Sequence, residues 1–392
     1  MSRVPARLDR WARFGYPCRK ERAGLDEVAF WVGFNLVPGI GPKRIRLLLD
    51  HFGELSRAWE ASAWDLSAAG LDTRCIQALQ ETRAKISLER EMARVERAGA
   101  TILTWRDAEY PRLLRNIAAS PPLLYVRGKI LPRDELALAV VGTRKASTYG
   151  REVAHLLASE IARCGVTIVS GLARGIDGVA HRAALSVGGR TIAVLGSGVD
   201  VIYPSEHRDL AERIIQNGAL VSEYPIGAKP EAGNFPARNR IISGLALGTL
   251  VVEAGRESGA LLTARHALEQ GRDVFAVPGS ILAAGSRGVN ELIRDGAKPV
   301  VCADDILQEL NLNMVEEFVQ ARETLPEAGG EALLLQHMAA EPIHVDELAR
   351  ATGMSIADVN STLVMMELKG LVRHVGSMNY VAVREGRQVY RP

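Results

Sequence analysis

The sequence predicts a multi-domain α/β protein centred on a mostly parallel, doubly wound sheet. Three observations predict it. The chain has 392 residues, and at roughly 100–200 residues per domain that length suggests about two to four domains. Hydrophobic residues make up 47% and charged residues 24%, ordinary values for a chain that buries substantial cores. Finally, residues 130–312 alternate short apolar runs with glycine turns and amphipathic stretches, the pattern of buried strands joined by crossover helices.

Residues 1–129 read as a helical N-terminal domain and linker, rich in Arg, Ala, Leu and Trp. Within it, Val37-Pro38-Gly39-Ile40-Gly41-Pro42-Lys43-Arg44 joins an apolar helix around Phe30 to Leu36 to a second helix beginning near Lys43. This turn resembles the hairpin of helix-hairpin-helix or SAM-like modules. Backbone N–H groups at such a turn can hold a DNA phosphate, and Lys43 and Arg44 stand beside it. A helical hairpin that only packs against its neighbours fits the same residues.

In the central region, Leu136–Val141 is a continuous apolar run followed by an amphipathic helix from about Tyr149 to Cys164. The unit recurs. Further strands are expected at Val166–Val169, Thr191–Leu195, Ala219–Ser222, Thr249–Val252, Asp273–Val277 and Pro299–Cys302. Helices are expected near Gly178–Ser186, Ser205–Gln216, Asn239–Ala246, Ser258–Gln270 and Val289–Arg294. This is an extended Rossmann-like pattern, in which ligands bind outside the carboxyl ends of the strands.

The unusual residues lie at those ends: Gly142-Thr143-Arg144, then Ser170-Gly171 and Arg174, then Gly196-Ser197-Gly198, then Phe235 with Arg238, Asn239 and Arg240. Small residues let a phosphate approach backbone N–H groups, and arginine forks clamp it. No G-x-G-x-x-G follows the first strand and no Walker A sequence occurs, which argues against a dinucleotide redox enzyme or an NTPase.

The last region supplies helices at Glu331–Ala339, after Ile343 and at Ser355–Lys369, then a hairpin of Leu371–Val375 and Tyr380–Val383. Residues 325–392 thus read as a winged-helix domain. Net charge tests its role. The total of +2 divides into 22 basic against 15 acidic residues in 1–129, 19 against 20 in 130–312, and 7 against 11 in 313–392. The acidic tail is poorly suited to a duplex, so a protein-interaction role is the better expectation for it. Four separated cysteines without a C-x-x-C pair suggest neither disulfides nor a metal site, and no cofactor is expected. With no run of about 18 apolar residues and no signal-peptide pattern, a cytoplasmic protein with no membrane partner is expected.

The rim blocks, read in order, resemble the DprA/Smf family. They are Val141-Gly142-Thr143-Arg144, Ser170-Gly171-Leu172-Ala173-Arg174-Gly175-Ile176-Asp177, Gly196-Ser197-Gly198, Tyr203-Pro204, Phe235-Pro236-Ala237-Arg238-Asn239-Arg240 and Val277-Pro278-Gly279. The resemblance spans roughly Leu136 to Ala297. It implies a non-enzymatic, homodimeric mediator that binds and protects incoming single-stranded DNA and loads the RecA recombinase during natural transformation. By motif position it places DNA phosphates near Gly142, Thr143, Arg144, Ser170, Gly171, Arg174, Arg238, Asn239 and Arg240, with Phe235 as a stacking face. The same arginines could instead form ion pairs with Asp177, Glu223 or Glu253, and Phe235 could be a loop anchor. Two rival readings remain: a LOG-like nucleotide phosphoribohydrolase, whose P-G-G-x-G-T-x-x-E motif is absent here, and a duplex-DNA regulator acting through the winged helix.

Overall fold

The computed structural model describes residues 26–310, 312, 330–338, 343–368, 372–374 and 378–382. They fall into two compact units, residues 1–306 and 307–392. Among the described residues no helix is long and apolar enough to cross a membrane.

The first unit opens with six helices: α1 (Glu27–Asn35), α2 (Pro42–Phe52), α3 (Leu55–Glu60), α4 (Ala63–Ala68), α5 (Thr73–Lys85) and α6 (Leu88–Arg97). Local chemistry sets their starts. Ser62, Asp72 and Ser87 each accept a backbone N–H at the N-terminus of α4, α5 and α6, and Pro42 opens α2, where a missing N–H costs nothing. Phe30, Trp31, Phe34, Leu48, Leu55, Leu66 and Leu79 form their core.

A nine-stranded sheet follows: β1 (Thr101–Thr104), β2 (Leu123–Gly128), β3 (Ala137–Val141), β4 (Thr167–Ser170), β5 (Thr191–Val194), β6 (Gly218–Ser222), β7 (Gly248–Val251), β8 (Asp273–Ala276) and β9 (Lys298–Pro299). Their spatial order is β1-β2-β6-β5-β4-β3-β7-β8-β9. Strands β3 to β9 pair in parallel, while β1–β2 and β2–β6 are antiparallel. The connecting helices are α7 (Arg112–Arg115) between β1 and β2, then α8 (Thr148–Arg163), α9 (Ile176–Ser186), α10 (Arg208–Asn217), α11 (Asn234–Gly244), α12 (Ala260–Glu269), α13 (Arg287–Arg294) and α14 (Ala303–Glu309).

Helices α8, α9 and α10 pack in a row, and α11 packs on α12. The chain winds one way from β3 to β6 and the other way from β7 to β9, so right-handed crossovers place the two groups on opposite faces. Strand β5 shows the alternation: Ile192 and Val194 join the core with Ile241, Ile242 and Ala264, while Ala193 joins Leu210, Ala211 and Ile214. The helix expected at Asn239–Ala246 begins five residues earlier, at Asn234, which brings Phe235 into its first turn.

The expected domain boundary at residue 129 is corrected. Strands β1 and β2 lie inside the supposed helical domain yet extend the central sheet. Strand β2 serves two cores: Leu123 and Tyr125 face the N-terminal helices, while Leu124 and Val126 face the sheet core. Three hydrogen bonds add to this junction. Tyr125 donates to Asn35 Oδ1 at 3.2 Å, Asn35 Nδ2 donates to the Glu223 carbonyl at 3.2 Å, and Arg94 donates to the Ile226 carbonyl at 2.6 Å.

The second unit contains α15 (Gly330–His337), β10 (Ile343–His344), α16 (Val345–Thr352), α17 (Ile356–Leu368), β11 (Val372–His374) and β12 (Asn379–Ala382). Leu334, Leu348, Val359, Leu363, Met366 and Tyr380 form its core. Ser355 caps α17 by accepting the Asp358 N–H at 3.1 Å. The expected β11–β12 pair gains a third strand, β10; its turn residues Gly376 and Ser377 lie outside the described residues.

Two buried polar sites hold the sheet's lower edge. Asp134 accepts both forks of Arg190 at 2.7 Å, the Leu131 N–H and the Thr167 hydroxyl. His181 is fully buried on α9. Its Nδ1 lies 2.6 Å from Thr191 Oγ1, and that hydroxyl donates its single proton to the Ile168 carbonyl. His181 therefore donates from Nδ1 and leaves Nε2 bare, with no partner. Burial pushes its pKa from the ordinary 6.5 down to about 3. The unfolded chain binds this proton more readily, so the site's contribution is complete above pH 6.5 and is lost as the pH falls toward 3. Urea unfolding across this range should show wild-type stability declining more steeply than that of His181→Asn, by up to about 1.4 kcal/mol per pH unit; parallel declines would remove His181 from the account.

Candidate nucleic-acid interface

Everything at the rim is built on the carboxyl ends of β3, β4, β5, β6 and β7. The strand order reverses between β3 and β7, where open α/β sheets commonly keep a ligand crevice. Here that crevice is filled. The Glu253 carbonyl accepts the Thr143 N–H at 2.7 Å, and its carboxylate accepts the Ser147 N–H at 2.9 Å and hydroxyl at 3.1 Å. Glu253 is buried, so it anchors the turn after β3 and the N-terminus of α8. Gly142 and Thr143 lie half-buried in that turn, and Arg144 emerges from it exposed.

A second anchor lies under the next loop. Arg238, on α11, is only 3% exposed and donates to the carbonyls of Gly171 and Val194, tying the ends of β4 and β5 to α11. Asp177 accepts the Gly171 and Ala173 N–H groups at 3.1 and 3.3 Å. Burial dominates both groups: it brings Arg238 down to about 10, and it raises Asp177 despite the attraction of Arg238. Gly171 sits between them without a side chain; a Cβ there would lie 2.6 Å from Arg238 Nη1 and 2.7 Å from Asp177 Oδ2. Ser170 is also buried and donates to the Val140 carbonyl at 2.6 Å.

These positions place part of the expected site beneath the surface. Arg238, Ser170 and Gly171 hold the rim together from below and do not present themselves to a phosphate. Arg240 is likewise engaged, with both forks on Glu223 at 2.6 and 2.7 Å and further bonds to the Ala119 and Ala237 carbonyls. Both partners of that pair are more than four-fifths buried, and breaking such a pair costs about 3–5 kcal/mol, more than one phosphate contact returns. Asn239 donates to the Gly259 carbonyl at 3.2 Å.

What remains accessible forms a distinct patch. The Arg144 guanidinium lies 5.4 Å above the Phe235 ring, and the Tyr203 ring lies 5.6 Å from Phe235, tilted by 41°. Gly196 lets the Phe235 ring settle on the end of β5, since a Cβ there would approach it to 2.9 Å. Tyr203 is 44% exposed. Lys145 is exposed beside Arg144. Arg174 binds Glu206 through two bonds of 2.7 and 2.8 Å, but both partners are more than half exposed, and such a pair exchanges readily for another anion. Tyr203 and Lys145 were not assigned from sequence. The available signal for Tyr203 was an aromatic beside a proline in a strand-end loop.

The N-terminal hairpin is held by contacts of its own. Arg44 donates to the Gly39 carbonyl at 2.6 Å and to Asp72 at 2.5 Å, so it braces the turn. Lys43 is exposed.

Comparison with known proteins places this geometry. The family model for DNA recombination-mediator protein A matches residues 101–311. The chain belongs to the DprA/Smf family. A DprA winged-helix model matches residues 320–377. Protein Smf of Synechocystis is 35% identical over 391 residues, covering 90% of this chain and 98% of that protein. Protein Smf of Escherichia coli is 42% identical over 78% of this chain and 83% of its own length. The crystal structure of DprA from Streptococcus pneumoniae superimposes with a TM-score of 0.64 at 36% identity, covering 72% of this chain and 97% of that one. The DprA model begins at residue 101, the first residue of β1, in agreement with the sheet's two antiparallel strands. The protein is accordingly a DNA-processing recombination mediator.

Because Gly171 is enclosed by Arg238 and Asp177, Gly171→Ala should lower unfolding free energy by about 1–3 kcal/mol, the usual range for overpacking. Denaturant melts would check it; an unchanged midpoint would show that the rim accommodates a methyl group.

Proposed function

We propose that the protein holds single-stranded DNA on this rim, with phosphates at Thr143, Arg144, Lys145 and Arg174 and bases on Phe235 and Tyr203. One observation carries the reading: exposed cations stand next to two exposed or half-exposed aromatic rings at the carboxyl ends of the strands. Single-strand binders pair a phosphate-tracking basic surface with stacking worth about 1–3 kcal/mol per base. Bases in a duplex are already stacked on each other and leave no face for Phe235.

The rim acts by binding, without turnover. At the reversal point Glu253 is buried and accepts from Ser147, which supports a structural role for this carboxylate over an acid–base one. The winged-helix unit acts through protein contacts: α17 carries Asp358 and Glu367 and no Lys or Arg. Family membership supports the remaining parts of the reading, namely a cytoplasmic homodimer that passes its strand to RecA.

Competition between single- and double-stranded oligonucleotides across salt tests the reading. Single strands should win, and Arg144→Ala should reduce the slope of log affinity on log salt by about 0.7, the value for one phosphate on a single strand, at unchanged melting temperature. Arg238→Met should behave oppositely at the level of the fold, lowering the melting temperature because it removes two carbonyl contacts and leaves Asp177 buried without a cation. Equal affinity of wild type and Arg144→Ala for single strands would remove the rim site.

A further inference from the structure

The face opposite α11 and α12 carries an open groove of about 610 Å³ between α8, α9 and α10. Val179, Arg182 and Ser186 of α9 line it, between Arg151, Glu152 and His155 of α8 and Arg213 of α10. Arg151, Arg182 and Arg213 line it with His155, against one acid, Glu152. Among the described residues neither Arg182 nor Arg213 lies in an ion pair with a carboxylate. Three guanidinium groups in a groove with a single acid make a strongly anion-attracting surface.

The groove connects to the rim. Helix α9 begins directly after the loop holding Arg174, and α8 after the loop holding Arg144 and Lys145. Arg151 donates back to the Ala146 carbonyl at 2.5 Å, two residues beyond Arg144. The Arg182 guanidinium folds toward the start of α9, where a Cβ on Gly178 would lie 3.1 Å from its Nη2. Both cations therefore lean toward the rim. The eleven residues of α9 extend the path by about 16 Å at 1.5 Å per residue.

We propose that this groove binds the phosphodiester backbone of a DNA strand that runs on from the rim over the surface of α9. The inference rests on the rim as the strand's first site. Arg182 and Arg213 clamp phosphates in the groove, and Arg151 stands where the strand leaves the Arg144 loop.

The test uses full-length protein and oligothymidylates from about 4 to about 16 nucleotides, the range of single-strand site sizes. Wild-type affinity should rise with length in two stages. The double variant R182A/R213A should bind the shortest strands as wild type does and lose the second stage, on the order of tenfold at low salt. Its salt slope for the longest strand should fall by about 1.4, the equivalent of two phosphates. Arg144→Ala should weaken every length, so a failed rim and a failed groove give different patterns. Equal melting temperatures would exclude misfolding of the double variant, whose two altered side chains are exposed. The proposal is overturned if the double variant matches wild type at all lengths, or if it weakens the shortest strands as much as the longest. It is also overturned if wild type binds no strand, or if inorganic tripolyphosphate occupies the groove while long-strand binding is indifferent to both arginines.

Discussion

The buried Arg238 guanidinium is the contact on which the rim depends. It reaches from α11 to the carbonyls that end β4 and β5, and it faces Asp177 across a glycine. An arginine loses its hydration when buried, so it stays only where carbonyls and a carboxylate replace the water. That requirement places α11, and α11 in turn places Phe235. With Glu253 holding the turn after β3, the loops have little freedom left, and Arg144 and Phe235 meet in a fixed relation. The rim is preorganised from beneath by charges that never reach its surface.

Burial also separates arginines that look alike in sequence. Arg144, Arg174, Arg238 and Arg240 all sit in rim blocks, yet their surroundings divide them. Arg238 and Arg240 are too deeply engaged to turn outward at reasonable cost, whereas the Arg174–Glu206 pair is open to water and can be exchanged for phosphate. An exposed cation beside an aromatic face contributes only about 0.5–1 kcal/mol to the fold. Arg144 can therefore change partners without strain.

Much of this was legible in the sequence. The parallel core was, because buried strands read as continuous apolar runs and glycine marks their ends. The rim was also legible as a location, since the loop after each strand must lie there whatever its detailed shape. The depth of a side chain was not legible: Phe235-Pro236-Ala237-Arg238-Asn239-Arg240 looks like an exposed basic loop, but it winds into the first turns of α11 and buries Arg238. Strands β1 and β2 were missed for a related reason. Antiparallel additions at a sheet edge are short, and β1 has four residues with threonine at both ends, too few for a period to show.

The sharing of β2 between two cores has a mechanical side. A domain hung on a linker can swing, but here alternate residues of one six-residue strand belong to the helical front and to the sheet. The front also grips the carbonyls of Glu223 and Ile226, in the segment that leads from β6 toward Phe235. The N-terminal helices therefore hold the segment that leads to Phe235 through a shared strand and two carbonyl contacts. The front is thus built into the same frame that carries the rim.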